Sequence, residues 1–277
     1  MRETKKYAAG FPVFVSIAAN KGKVRTANED NFYADILGIR EAENLCGHRV
    51  LSHSDSYVFG VCDGMGGEQF GDIASELAVL AMKDFSDKIK NSSPEMLHTV
   101  VNEYSCEANN RICRMTEERQ AELSGSTFVM ACVRENLAYT FSIGDSRIYY
   151  IDENGIRQVS EDQTLAMKKL KANIYTEEEA KMSSDAHKIT MFLGVDSRNI
   201  GLKALAYEPL DISRGQLLLC SDGLTDMCTD EEILMVMTKY NDEFAAQHLV
   251  ELALARGGID NITCLIIRIS SFQACSC

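Results

Sequence analysis

Tryptophan is absent from this chain of 277 residues, proline occurs only three times, and no apolar run approaches the ~20 residues that a bilayer crossing requires. The last of these absences predicts a protein without a membrane partner. Positive charge is also scarce. Lys and Arg number 28 against 41 Asp and Glu, a net charge of −13, which argues against a nucleic-acid surface because phosphate backbones are bound mainly by basic side chains. His48, His53, His98, His187 and His248 show no metal-ligand spacing. No secretory leader is visible, and the chain is too long for a small stapled scaffold, so the ten cysteines do not read as a disulfide framework. Cys62, Cys132, Cys220 and Cys264 sit in apolar contexts and read as small buried hydrophobes. The terminal Cys275-Ser276-Cys277 does not match a prenylation signal. Together these features predict a reduced, cytoplasmic protein. With no repeat, low-complexity tract or Pro/Ser-rich linker to divide it, residues 1–277 are expected to form one domain.

Periodicity supplies the elements. Strands are predicted at 13–18, 32–36 and 57–62, then a helix with Ile73, Leu77, Leu80, Ala81 and Phe85 on one face. A second helix is predicted from Ser92, where Ser92 and Glu95 have capping-box spacing and Pro94 falls in the first turn. Its apolar stripe runs from Leu97 to Met115. Four strands follow at 127–133, 137–143, 148–151 and 156–159, with hairpin turns at Asn136 and at Glu153-Asn154-Gly155. Residues 161–190 are polar and helix-prone. Strands return at 204–207, 216–220 and 263–269, with helices at 230–239 and 243–255, the latter ended by Gly257-Gly258. Hairpin-linked strands with helices grouped in pairs predict an α+β protein: two stacked antiparallel sheets with helices outside each, not a parallel β-α-β fold.

Five acidic motifs punctuate this pattern: Asn28-Glu29-Asp30, Asp63-Gly64-Met65-Gly66-Gly67, Gly144-Asp145-Ser146-Arg147, Ser221-Asp222-Gly223 and Asp260-Asn261. Most of the carboxylates stand just beyond a predicted strand, and strand ends gather residues distant in sequence. Carboxylates collected at one point repel unless cations or protons compensate them. Oxygen ligands in that number suit Mg²⁺ or Mn²⁺ rather than zinc. The motifs therefore predict a binuclear metal hydrolase, with part of the negative excess explained by the ligands and the rest by a solvated surface.

In order and in wording, these motifs resemble those of the metal-dependent Ser/Thr protein phosphatases of the PPM, or type 2C, group. Arg25-Thr26-Ala27-Asn28-Glu29-Asp30 is similar to the family's first motif and Asp63-Gly64-Met65-Gly66-Gly67 to its second. Ser124-Gly125-Ser126-Thr127, Gly144-Asp145-Ser146-Arg147, Ser221-Asp222-Gly223-Leu224 and Asp260-Asn261-Ile262-Thr263 follow in the family's order. The resemblance implies a four-layer α-β-β-α sandwich and hydrolysis of phosphoserine and phosphothreonine by a metal-bridging hydroxide. It implies phosphoprotein substrates and an opposing Ser/Thr protein kinase. Two Mg²⁺ or Mn²⁺ ions are implied, with the third ion that many bacterial members carry. Asp63 would bridge both metals, Asp222 and Asp260 would complete the shell of the first ion, and Glu29 with the Gly64 carbonyl would serve the second. Asp145, sharing Asp222, would hold the third. Arg25 would clamp the substrate phosphate with a bidentate fork, and Asp30 would orient metal-bound water or ligands. Residues 161–195 resemble the family's variable flap, with Ile189-Thr190-Met191-Phe192-Leu193-Gly194 as its return to the sheet.

One position departs from the animal branch, which has histidine where this chain has Met65 and assigns that histidine to leaving-group protonation. A methionine cannot donate a proton, and bacterial members often carry it, so the chain is of the bacterial type. Two rival readings share the fold: a non-catalytic phosphoprotein-binding module and a hydrolase of small phosphate esters. A third is set aside. Cys113 to Arg119 has the C-x5-R spacing of cysteine-dependent phosphatases, but it lies on a predicted helix and contains Glu117 and Glu118, unsuited to a phosphate cradle.

Overall fold

The computed structural model describes residues 11–35, 38–40, 43–52, 54–66, 70–196, 201–240 and 243–269. Ile36, His53, Gly67, Cys275 and Cys277 lie outside the described residues. The N-terminal third forms β1 (Val13–Asn20), β2 (Asp30–Ala34), β3 (Gly38–Ile39), β4 (Leu45–Leu51) and β5 (Ser56–Met65), then two long helices, α1 (Gly71–Asn91) and α2 (Pro94–Glu118). The middle supplies β6 (Gly125–Ser126), β7 (Phe128–Arg134), β8 (Leu137–Ile143), β9 (Arg147–Asp152) and β10 (Gly155–Gln158), followed by the short helices α3 (Leu165–Lys171) and α4 (Glu177–Met182). The last third adds β11 (Leu205–Ala206), β12 (Leu210–Asp211), β13 (Gln216–Cys220), α5 (Asp222–Thr225), α6 (Asp230–Lys239), α7 (Ala245–Ala255) and β14 (Ile262–Ile269).

Strand β7 shows why the layers stack as they do. Phe128, Met130 and Cys132 point into a core shared with α1 and α2, while Val129, Ala131 and Val133 point into a second core between the sheets. A strand buried on both faces cannot alternate apolar with polar, and β7 accordingly reads as a nearly unbroken apolar run. Strand β14 does the same on the other side. Leu265 and Ile267 enter the intersheet core, whereas Cys264 and Ile266 pack beneath α6 and α7. Four layers result: helix pair, sheet, sheet, helix pair. The sheet orders are β10-β9-β13-β14-β1-β4 and β11-β8-β7-β5-β2-β3, with β12 on β8 and β6 on β5. Neighbouring strands run antiparallel. Residues 144–146 carry the chain from β8 in one sheet to β9 in the other. Among the described residues no helix is long and apolar enough to cross a membrane.

The structure corrects two local expectations and adds one strand. The capping box at Ser92 and Glu95 does not form: Ser93 is the N-cap of α2, and the Ser92 hydroxyl donates to the Ile89 carbonyl, closing α1 instead. Asp63 is not beyond its strand but within it, because β5 continues to Met65 by pairing with β6. Strand β4 had no sequence expectation. It is a mostly exposed edge strand, Leu-Cys-Gly-His-Arg-Val-Leu, whose polar and glycine content hides it.

Candidate metal centre

Strand pairing builds the site before any side chain is considered. Asp30 opens β2 and lies directly across the ladder from Asp63 on β5. In the other sheet, β13 ends at Cys220, opposite Cys264 of β14. Ser221-Asp222 after β13 and Asp260-Asn261 before β14 therefore share one edge. The sheets stack, so the two edges meet. Asp63 and Asp222, from different sheets, are neighbours in one acidic cluster, each acting on the other's carboxyl. Asp145, on the turn joining the sheets, is buried beside them.

Hydroxyls and amides fix this arrangement. Ser221 Oγ donates to Asp30 Oδ2 at 2.6 Å and accepts from the Thr263 amide at 3.0 Å. The Asp63 amide donates to Thr127 Oγ1 at 3.1 Å, and Thr127 Oγ1 lies 2.7 Å from Ser146 Oγ. Asn261 Oδ1 accepts from the Glu29 amide at 2.8 Å, while its Nδ2 donates to the carbonyls of Lys21 and Ala27. One asparagine thus holds the loop from Arg25 to Asp30 against the start of β14. The positioning roles of Ser221, Thr127, Ser146 and Asn261 were not expected, although all four stand inside the sequence motifs.

Gly64 and Gly71 are required by space. A Cβ on Gly64 would stand 2.0 Å from the Gly71 carbonyl oxygen, and one on Gly71 would stand 2.7 Å from the Glu29 carboxyl carbon. The Gly64 amide donates to the Glu29 carbonyl at 3.1 Å. Close approach, not a left-handed dihedral, is what this turn needs, since Gly64 is in extended strand.

The electrostatics are those of charge without sufficient compensation. Burial pushes the Asp30 carboxyl up to about 7 against the lowering effect of Ser221, and raises Asp222 to about 6 with help from Asp226 and Asp260. Asp63 and Asp145 are also raised well above the carboxylate range, first by burial and then by their acidic neighbours. Glu29 is raised by burial, partly offset by Arg25. Arg25 itself donates from Nη2 to Asp260 Oδ2 at 2.6 Å, which raises its pKa. Arg147, in contrast, is committed to Asp162 through Nε and Nη2 rather than to Asp145.

Among the described residues no three His, Cys, Asp or Glu side chains already close on one point in ligand geometry. The donor set nevertheless fits a divalent cation. Oδ1 of Asp30 and Oδ1 of Asp145 are buried without a hydrogen-bond partner, a costly state that a cation would relieve. Both belong to a cluster of hard oxygen donors whose mutual repulsion such an ion would offset.

Carboxylates from both sheets of a β-sandwich, gathered at one edge, make this a metal-dependent hydrolase. The chain belongs to the protein phosphatase 2C family, whose model matches residues 46–254, and it is a metal-dependent protein phosphatase. Asp63, Asp145 and Asp222 lie inside the matched stretch; Arg25, Glu29, Asp30 and Asp260 flank it. Over 259 residues the chain is 28% identical to a serine/threonine phosphatase stp of Listeria welshimeri, covering 92% of this chain and 95% of the relative. It resembles the crystal structure of Staphylococcus aureus Stp1 with a TM-score of 0.79 at 25% identity, covering 97% of this chain and all of that one. The catalytic domain of PstP in complex with 2 manganese ions aligns with a TM-score of 0.73 at 26% identity, covering 93% of this chain and 99% of that one.

Proposed function

We propose that this enzyme hydrolyses phosphoserine and phosphothreonine in phosphoproteins, with Mg²⁺ or Mn²⁺ held by Asp63, Asp222, Asp260, Glu29 and the Gly64 carbonyl. The set would hold two ions, and Asp145, sharing Asp222, would hold a third where one binds. The observation that carries the reading is the gathering of Asp63 and Asp222, from the two sheets, beside the unpartnered oxygens of Asp30 and Asp145. The relatives' names and the manganese complex of PstP support the substrate class and the metal.

Bound divalent ions supply the positive charge that lowers the pKa of water and offsets charge on the phosphoryl oxygens. The chain does the rest. Arg25, half exposed at the rim, offers its planar fork to the phosphate. Asp30, locked by Ser221, orients what lies next to Asp63. Met65 contributes no proton, so the leaving oxygen takes one from water. Residues 1–277 act as one catalytic domain, with 161–195 as a flap beside the site. A cytoplasmic enzyme of this kind opposes a Ser/Thr protein kinase, with neither nucleic acid nor membrane as partner.

Phosphate release from phosphothreonine peptides and from para-nitrophenyl phosphate, measured with EDTA and after readdition of manganese, tests the reading. Manganese-restored release from peptides is expected. Release from the small ester alone would favour a small-ester hydrolase, and release from neither would leave only a binding module.

A further inference from the structure

Arg40 belongs to none of the acidic motifs, yet its side chain ends on one of them. Its Nε donates to the Asp30 carbonyl at 2.7 Å and its Nη2 to the Asn28 carbonyl at 2.8 Å. One guanidinium therefore bridges the backbone on either side of Glu29. The strand ladder explains why. Successive carbonyls of an extended chain point to opposite sides, and the three here divide accordingly. The Glu29 carbonyl accepts from the Gly64 amide of β5 at 3.1 Å. On the opposite side of β2, β3 pairs with Tyr33 and Ala34, and its two residues do not extend as far as Asn28 or Asp30. The fork of Arg40 reaches back along β2 and donates where a longer strand would have done so.

The fork is itself held. The Arg40 amide donates to Asn31 Oδ1 at 3.1 Å, and the same oxygen accepts from the Phe32 amide at 2.9 Å. Asn31 is buried, so Arg40 leaves β3 with its backbone anchored against β2. The amides around Glu29 are also engaged: that of Glu29 on Asn261 Oδ1 and that of Asp30 on Asn28 Oδ1. From the Asn28 carbonyl to the Asp30 carbonyl, every backbone polar group has a partner. The Glu29 carboxyl is thereby aimed over Gly71, the residue whose missing side chain leaves it room. The cation acting directly on that carboxyl is Arg25. Arg40 works on the backbone instead.

We propose that Arg40 is a positioning residue for the second metal ion, fixing the peptide units on either side of Glu29 and with them the direction of its carboxylate. Glu29 and the Gly64 carbonyl serve that ion in the assignment above, on which this role rests. Asn261, Gly64 and Arg40 hold the same short stretch from the start of β14, from β5 and from the end of β3. The rigid spacing of the guanidinium donors suits two carbonyls at once, which the single ammonium of a lysine does not match.

Manganese titration of the full chain by calorimetry, without substrate, tests this role. Glu29→Gln identifies which binding step depends on Glu29. Arg40→Gln is expected to weaken that same step by about tenfold, as when a group that orients a metal ligand is removed, and to leave the other step unchanged. Adding Arg40→Gln to Glu29→Gln should cause no further loss, because Arg40 acts through Glu29. Arg40→Lys should lose less, about threefold. If Arg40→Gln fails to fold by circular dichroism, Arg40→Lys decides alone, and wild-type affinity in it would overturn the role. Wild-type affinity in a folded Arg40→Gln would overturn it too. So would equal weakening of both steps, or losses that multiply in the double variant, since either marks general support of the fold. Unchanged manganese binding in Glu29→Gln would overturn the metal assignment and this role with it.

Discussion

Asp30 faces Asp63 across the β2–β5 ladder, so two acidic residues stand opposite each other where a sheet ordinarily places attractive or neutral pairs. Like charges at that position oppose folding, and the Asp30 carboxyl, fully buried with one oxygen unpartnered, bears the cost. The pair is an arrangement that only a cation or a proton makes comfortable.

A pH dependence follows for the metal-free protein. The folded-state pKa values of Asp30 and Asp222, about 7 and about 6, lie above the value each has in an unfolded chain. Their protonated forms favour the fold, so this stability is complete at about pH 4 and below and is lost as pH rises toward 7. The slope approaches about 1.4 kcal/mol per pH unit for each proton retained. Thermal unfolding in EDTA should show a falling Tm across this window, flattened in Asp30→Asn. Saturating manganese should remove the fall, because the ion replaces the protons.

Asp222→Asn should lower kcat by about 100-fold or more while leaving circular dichroism unchanged, since it removes ligand charge at nearly constant volume. Near-normal turnover in manganese would contradict the role given to Asp222.

Arg25→Ala should act mainly on KM for phosphopeptides, by about tenfold, with Arg25→Lys intermediate because a point charge cannot make the bidentate contact. The same substitution frees Asp260 of its 2.6 Å partner, so manganese affinity by calorimetry should hold or improve. A loss of metal affinity equal to the loss of substrate affinity would argue that Arg25 only shapes the site.

Ser221→Ala should leave Asp30 Oδ2 and the Thr263 amide without their shared partner. Denaturant titration in EDTA should show a loss of about 1–3 kcal/mol. Manganese affinity should fall by about 10–100-fold, as when groups that orient metal ligands are removed. Ser221→Thr, which keeps the hydroxyl, should restore most of both.

Much of this site could be read from the chain because its ligands follow or begin strands with strong apolar signals, such as Gln216–Cys220 and Ile262–Ile269. What stayed hidden depends on partners far away in sequence. The extension of β5 through Asp63 to Met65 is stabilised by Gly125 and Ser126, a pairing that local preference cannot reveal. Arg147 chooses Asp162 rather than nearby Asp145 because the turn at 144–146 buries Asp145 toward the cluster and leaves Arg147 pointing along β9. The boundary between α1 and α2 shifted by one residue because two adjacent serines both satisfy the local rules. Hydrogen bonding, not sequence, distinguishes them.

Arg25 and Asp260 touch across a separation of 235 residues, and β14, which follows Asp260, lies in the interior of its sheet between β1 and β13. During translation that interior place stays empty until residue 269 has left the ribosome, so β1 has only β4 beside it and the site lacks an edge. Truncation before β14 is therefore expected to remove an interior strand and the Asp260 edge of the site together, a late, nonlocal closure.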